Sequence, residues 1–437
     1  MKGADRERTE AGFKVRTPAA EARRILREAI LERAPTDPAA DDEATDPPTG
    51  SETIDVERAD GRVLAAPVEA ARDVPHYRRA AMDGYAVRAA DTFGASERSP
   101  AVLRVADGTG AEASVGPETA ARVHTGSALP DGAEAVVRIE RVTELESAGE
   151  LEVEAAVAEG ENVAPVGEDV AEGQHLYDAG HRLRPSDLGL LRSAGYARLA
   201  VAQRPRVSVI PTGEELVAGD PDPGEVVETN GLTVSRLAER WGARTTSREV
   251  VTDDPESLRV AIQRDLAKDV VVTTGGSSVG ERDLLPEVID DLGEVLVHGV
   301  GIKPGHPVCL GVVEETPVLA LPGYPVACLV NAVQFLRPAL RWLEGTTPDS
   351  YPTTRAVLER KIPSEPGTRT FARVRLERRD DELEDDEPQY RAVPTRASGA
   401  GVLSSVALAD GWVVVDDDRE GIPEGEVVQV QDWEPDP

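Results

Sequence analysis

Asp269-Val-Val-Val-Thr-Thr-Gly-Gly-Ser-Ser-Val-Gly-Glu-Arg-Asp283 begins as a strand-length apolar run, breaks into a glycine-rich turn, and opens a helix that runs through Leu292. Glycines let a backbone approach a ligand, and unpaired amides at the positive end of a helix dipole attract phosphate or another oxyanion. An ordinary tight turn between strand and helix suits the same residues. The turn supplies no lysine of the Gly-Lys-Thr type, so nucleotide hydrolysis by a phosphate loop is not indicated. On its N-terminal side, Arg206–Ile210 reads as a buried strand, Gly231–Trp241 as a helix, Thr245–Val251 as a strand and Pro255–Leu266 as a helix. Strands alternating with helices of this length predict a parallel, doubly wound sheet over residues 204–345, with ligands at the carboxyl ends of the strands.

Those strand ends carry candidate chemistry. Ile210-Pro-Thr-Gly-Glu-Glu-Leu216 places two carboxylates just past one strand, and Val251-Thr-Asp-Asp-Pro255 does the same after the next. Carboxylates gathered at neighbouring strand ends are what a hard divalent cation such as Mg²⁺ needs. Asp254 before a proline also suits a helix N-cap and Glu214 suits a solvated position, so Glu215 and Asp253 are favoured. Asp283 either caps the first turn of its helix or is a further metal ligand. Gly301-Ile-Lys-Pro-Gly-His-Pro307 and Leu319-Ala-Leu-Pro-Gly-Tyr-Pro325 are stiff Pro-Gly loops, the second ahead of a long apolar helix over Val326–Trp342. Lys303 is a candidate phosphate ligand or an exposed lysine, and His306 is equally open.

The flanking regions read differently. Ala19, Ala22, Ile25, Leu26, Ile30 and Leu31 keep helical spacing after Thr17-Pro18, and residues 35–52 form a solvated Asp/Pro/Thr/Ala-rich connection. From about 54 to 200, short runs such as Glu134–Glu140 and Leu151–Glu154 between Gly and Pro predict irregular β domains. Past Thr346, strand-length runs return at Phe371–Leu376, Gly411–Val415 and Glu426–Val430 and predict a small terminal β-barrel.

Composition sets limits on all of this. A chain of 437 residues is too long for one core and divides into several domains. Its 81 acidic against 48 basic side chains give a formal charge of -33, which repels a nucleic-acid backbone over most of the surface. The positive charge is nearly all arginine, and the acidity is spread along the chain, a pattern that suits concentrated salt and predicts a halophilic protein. Cys309 and Cys328 each lie in an apolar run and read as buried, inert thiols. No apolar stretch of about 18 residues and no leader-like N-terminus is present, which predicts a soluble cytoplasmic protein without membrane contact.

Five motifs occur in order: Met82-Asp-Gly-Tyr-Ala86; His124-Thr-Gly126 with Pro130-Asp-Gly-Ala-Glu-Ala-Val-Val137; Pro211-Thr-Gly-Glu-Glu-Leu216; Thr274-Gly-Gly-Ser-Ser-Val-Gly-Glu-Arg-Asp283; and Lys303-Pro-Gly-His-Pro307 with Leu321-Pro-Gly-Tyr-Pro325. Together they closely resemble the molybdopterin molybdenumtransferase family, called MoeA in prokaryotes and represented by the gephyrin E-domain in animals. The match runs from roughly residue 14 to 435. It implies a multi-domain α/β-plus-β chain with four domains. Residues 14–75 with 163–203 would form an elongated linker and dimerisation domain, and 76–162 an irregular β domain. Residues 204–345 would form a three-layer, doubly wound molybdopterin-binding domain, and 346–437 a C-terminal β-barrel.

The resemblance also implies a homodimer with an active site shared between subunits, and transient contact with the molybdopterin adenylyltransferase. The implied reaction takes adenylylated molybdopterin and molybdate, or tungstate, to molybdenum cofactor and AMP with Mg²⁺. Asp83 and Thr125 resemble the contributions of the second subunit, while Glu215, Asp253 and Asp283 resemble the acidic group that handles metal and promotes adenylate cleavage. The pocket for substrate phosphate and oxyanion would draw on Thr274, Gly275, Gly276, Ser277, Ser278 and Gly280. Lys303, Pro304, His306, Pro322, Gly323 and Pro325 would complete it. His306 and Tyr324 depart from relatives that carry Lys and Asn there, and Gly299 falls where some bacterial members have another lysine, so this pocket carries less positive charge. The competing functions are adenylyl transfer, whose enzymes resemble residues 204–345 alone, and a non-catalytic scaffold.

Overall fold

The computed structural model describes residues 16–33, 50–108, 112–145, 147–275, 284–379, 387–395 and 399–435. The chain divides into two compact units, one of residues 53–201 and one of residues 1–52 with 202–437.

Helix α1 (Ala19–Leu31) follows from the spacing of its apolar residues: Ala19, Ala22, Leu26, Ala29 and Ile30 are buried along one stripe. Pro18 stands at the N-cap, where its missing N–H costs nothing. The buried stripe belongs to the apolar core of the α/β sheet in the second half of the chain, beside Val297, Phe335 and Leu336. This differs from the linker domain expected over residues 14–75. The amphipathic stripe identified the helix, but nothing in its own sequence said which sheet it covers.

In the unit of residues 53–201, strands β1 (Gly84–Val87), β2 (Ser96–Val105), β3 (Thr119–Val123), β4 (Ala135–Arg138), β5 (Val142–Leu145) and β6 (Glu150–Ala155) form one sheet in the order β4-β1-β3-β2-β6-β5. Only β2 and β3 run parallel. Tyr85, Val87, Leu103, Leu151 and Val153 bury one face. A second, smaller core joins distant segments: Val56, Leu64 and Val68 pack with Leu183, Leu191, Leu199 and Val201. Beside it, at helix α2 (Pro185–Ser193), the buried Asp187 carboxylate accepts hydrogen bonds from the Arg184 amide at 2.9 Å and the Tyr177 hydroxyl at 3.1 Å, and pairs with His181 at 2.8 Å. These partners, with the Arg184 guanidinium, hold its pKa far below the ordinary carboxylate range against the opposing effect of burial.

The other unit is built on β7 (Arg206–Pro211), α3 (Asn230–Arg240), β8 (Arg244–Ser247), α4 (Pro255–Arg264), β9 (Val270–Thr274), α5 (Leu285–Leu292), β10 (Glu294–His298), β11 (Ile302–Lys303), β12 (Cys309–Val313) and β13 (Thr316–Leu321). Its sheet has the order β8-β7-β9-β13-β12-β10. Alternation sets the layers. Val207, Val209, Val270, Val272, Leu319 and Leu321 face α1, α3 and the long apolar helix, whereas Ile210, Val271, Val318 and Ala320 face α4 and α5. Both faces are covered, which is why these strands read as continuous apolar runs.

Two details depart from expectation. The sheet is mixed, because β12 and β10 join its edge antiparallel; a tight turn at Glu314, with φ at 52°, folds β12 back onto β13 without a crossover helix. The strand expected over Thr245–Val251 ends at Ser247, and only a single parallel bridge, Thr212 to Val251, continues it. Cys309 and Cys328 are buried and not joined by a disulfide, and burial pushes the Cys328 thiol strongly up.

The apolar helix runs as α6 (Pro325–Asn331), a π-helical segment (Ala332–Leu336) and α7 (Arg337–Leu343). Past it, β14 (Thr353–Leu358), β15 (Arg369–Arg378), β16 (Tyr390–Pro394), β17 (Gly411–Val415) and β18 (Val427–Gln431) close a five-stranded barrel in the order β15-β16-β14-β18-β17, with β17 returning to β15. Strand β11 adds to β15 in parallel, so Lys303 leaves the α/β layer paired to the barrel. Trp412 is fully buried, stacked on Trp433 at 5.1 Å and edge-on to Phe371 at 5.2 Å.

Candidate active site

The carboxyl ends of β7, β9 and β13 interlock. The Thr212 amide donates to the Thr274 carbonyl at 3.5 Å, and the Gly275 amide donates to the Leu321 carbonyl at 3.1 Å. Gly275 has φ 140°, and a Cβ there would lie 2.1 Å from the Thr212 carbonyl oxygen, so only glycine lets the chain leave β9 at this point. Gly323 abuts it: a Cβ on Gly323 would sit 3.5 Å from the Gly275 Cα. Asn230, at the start of α3, donates its side-chain amide to the Gly323 carbonyl at 2.7 Å, which brings a helix N-terminus to the same strand ends. Around this junction the hydroxyls of Thr212, Thr273 and Thr274 are buried without a hydrogen-bond partner among the described residues. Buried polar atoms are nearly always satisfied, so the unpaired Thr212 and Thr274 hydroxyls beside Gly275 are candidates to meet a polar ligand.

The carboxylates are placed by backbone pairing. The Val251 amide donates to the Pro211 carbonyl at 2.9 Å and the Gly213 amide to the Val251 carbonyl at 3.1 Å, so the segments carrying Glu215 and Asp253 lie side by side. Burial first, then the charges of Glu215 and Glu214, raise the Asp253 pKa, and its Oδ1 is buried with no partner. Asp254 is otherwise engaged: it caps α4 by accepting the Ser257 amide at 3.0 Å and the Thr252 hydroxyl at 2.8 Å, which holds its pKa down at about 2. Among the described residues, no three His, Cys, Asp or Glu side chains gather closely enough to hold a metal. Asp283, Gly276, Ser277, Ser278 and Gly280, all expected at this site, lie outside the described residues.

The stiff loops come next. The exposed Lys303 ammonium lies 3.3 Å from Glu365 and is followed by Pro304 and Gly305. His306 is half-buried, and burial with the neighbouring charges of Arg16 and Lys303 lowers its pKa against the opposing pull of Glu365. Pro322 is buried and Pro325 starts α6, while the Tyr324 ring is 67% exposed.

In the other unit, Asp83 and Thr125 meet at the ends of β1 and β3. The Asp83 carboxylate accepts the Thr125 amide at 2.6 Å and its hydroxyl at 3.0 Å, and these two bonds hold the carboxyl below its ordinary pKa. Two residues 42 apart in sequence are thereby brought together, on an exposed loop pair.

Residues 17–195 match the family described as "MoeA N-terminal region (domain I and II)", residues 208–342 the "Probable molybdopterin binding domain" and residues 355–433 the "MoeA C-terminal region (domain IV)". The chain belongs to the MoeA family. Relatives include the molybdopterin molybdenumtransferase of Bacillus subtilis, 32% identical over 87% of this chain and 89% of that protein. Molybdopterin molybdenumtransferase 2 of Mycobacterium tuberculosis is 34% identical over 74% and 83%. The solved MoeA protein of Pyrococcus horikoshii superposes with a TM-score of 0.78 at 33% identity, covering 96% of this chain and all of that one. In this MoeA-family chain, the sequence reading missed Thr212 and Asn230. Thr212 stood inside a motif searched for its carboxylates, and Asn230 has no periodic signal beyond its place before a helix.

Proposed function

We propose that this protein is a molybdopterin molybdenumtransferase, which inserts molybdate or tungstate into adenylylated molybdopterin with release of AMP. The observation that carries the reading is the junction of β7, β9 and β13, where the unpaired Thr212 hydroxyl lies against Gly275, a glycine that admits close approach, and the Thr274 hydroxyl beside it is also unpaired. Both substrates are oxyanions, and amides, hydroxyls and a lysine are the donors that bind oxyanions without the repulsion a carboxylate would add.

Beside that junction Asp253 and Glu215 supply two carboxylates toward a divalent cation. Asp253 has an unpaired buried oxygen and a pKa raised by burial and by Glu215, the condition of carboxylates that lack a counter-charge. Asp253 and Glu215, with Asp283, would hold Mg²⁺, which when bound neutralises charge on the phosphoanhydride. Lys303 contributes positive charge to the same phosphates, its ammonium exchanging Glu365 for substrate. The Gly275 turn and Pro322–Pro325 exclude water and hold the pterin phosphate, and the Thr212 and Thr274 hydroxyls orient the oxyanion. Asp83 and Thr125 act from the second copy of a homodimer, where the ionised Asp83 stays fixed by its two bonds to Thr125.

The test is AMP release from adenylylated molybdopterin with Mg²⁺ in high salt, comparing molybdate, tungstate and no oxyanion, for wild type and Asp253→Ala. Oxyanion-dependent release that is lost in the variant supports the reading. A protein that binds the pterin and never releases AMP is a scaffold instead. Adenylyl transfer is disfavoured because the matched family regions extend on both sides of the α/β domain.

A further inference from the structure

Asn331 is the last residue of α6, 0% exposed, at the point where the helix widens into its π segment. Its side-chain amide donates to two carbonyls, Ala327 one turn back at 2.8 Å and Gly305 at 2.9 Å. Gly305 has φ 113°, and a Cβ there would stand 2.2 Å from the Asn331 amide nitrogen, so glycine at 305 and asparagine at 331 are fitted to each other. Within the same loop, the Val300 amide donates to the His306 carbonyl at 2.9 Å, and Lys303 pairs with β15 of the barrel. Gly305 is thus the point where the Lys303–Pro307 loop is tied to the helix that begins at Pro325. A buried asparagine is costly unless bonded, and its Oδ1 has no partner among the described residues. One amide bond across 26 positions of sequence, made at that cost and at a π segment, points to a constraint on position rather than to packing alone.

We propose that Asn331 is a positioning residue. It locks the Lys303 loop to α6 and so sets where the Lys303 ammonium stands relative to the Pro322–Pro325 turn, the two halves of the pocket for substrate phosphate and oxyanion. The inference rests on the reading of Lys303 as a substrate ligand. Lys303 itself is exposed on a flexible stem, so its reach is governed by the backbone beneath it.

The experiment uses the full chain with Asn331→Ala, Asn331→Asp, Lys303→Ala and the Lys303→Ala/Asn331→Ala double variant. AMP release gives KM and kcat, and hydrogen exchange reports on the backbone amides of residues 302–306. Asn331→Ala is expected to raise KM for adenylylated molybdopterin about tenfold, with a smaller change in kcat, and to speed exchange in the loop while the β7 and β9 amides stay protected. Asn331→Asp keeps the shape but sets an acceptor against both carbonyls, and is expected to loosen the loop at least as much. The deciding readout is the double variant: if Asn331 acts through Lys303, removing it adds little once the lysine is gone, whereas a merely structural role adds its full effect. Full additivity, or an unchanged KM in Asn331→Ala beside an impaired Lys303→Ala, overturns this inference alone. An unchanged KM in Lys303→Ala overturns the reading of the loop as a substrate site, and this inference with it.

Discussion

Asp253 and Asp254 are adjacent, chemically identical and differently employed. Asp254 has its acceptors filled by Ser257 and Thr252, whereas Asp253 keeps a buried oxygen unpaired and feels Glu215. Asp253→Asn is therefore expected to abolish the Mg²⁺ dependence of AMP release and leave the melting temperature unchanged or higher. The sign follows from linkage: a carboxyl whose folded pKa is raised opposes folding once pH exceeds its unfolded value, so neutralising it removes a penalty. The same shift predicts that Mg²⁺ affinity of the wild type declines on acidification at a pH above the ordinary carboxylate range, measurable by titration with the metal alone. Asp254→Ala should do the reverse, lowering thermal stability by loss of a cap while the Mg²⁺ requirement persists. If both variants lose the metal dependence equally, the division of labour between them is wrong.

At the scale of elements, the junction depends on how β7 and α4 are held. Buried Asp265, just past α4, accepts the Ser208 hydroxyl from β7 at 2.8 Å and the Arg248 guanidinium from the segment after β8. Removing one member of a buried pair strands the other, so Asp265→Ala is expected to cost about 3 kcal/mol, near the low end for such pairs because Arg248 can reach water. Chemical denaturation checks this, and a loss below about 1 kcal/mol would show the pair to be dispensable. The antiparallel edge β12-β10 and the π segment belong to this scale as well. Both depend on partners far along the chain: the edge on the turn at Glu314, and the helix at Asn331 on Gly305.

For the whole molecule, a charge of -33 sets the terms. Screening shortens from about 10 Å at 0.1 M salt to about 3 Å at 1 M, so self-repulsion falls steeply over that range. The melting temperature is expected to rise by several degrees between those salt concentrations, and a flat or falling curve would show that charge is balanced locally instead. Acid acts in the other direction on the unit of residues 53–201. The depressed pKa of Asp187 means its bonds to Arg184, His181 and Tyr177 stabilise that unit fully above the ordinary carboxylate pKa. That stability is lost as pH falls below it. Circular dichroism of Asp187→Asn against wild type should show the variant less stable at pH 7 and the gap closing in acid.

Local pattern alone determined much of this protein. Periodicity in β7, α4, β9 and α1 follows from burial that repeats every two or every three to four residues, so those elements were legible without a structure. The Pro-Gly turns were legible too, because the residues that bend a chain are few, and five motifs in order carried the family. Tertiary structure alone decided which sheet α1 covers, the antiparallel edge, the pairing of Asp83 with Thr125, and the separate fates of Asp253 and Asp254. It also decided the unpaired Thr212 hydroxyl, the bond of Asn230 to Gly323 and the bond of Asn331 to Gly305. Each of these turns on a contact between positions distant in the chain or on which atoms are left unpaired after folding, and a hydroxyl or amide carries no mark in sequence of the partner it will find or lack.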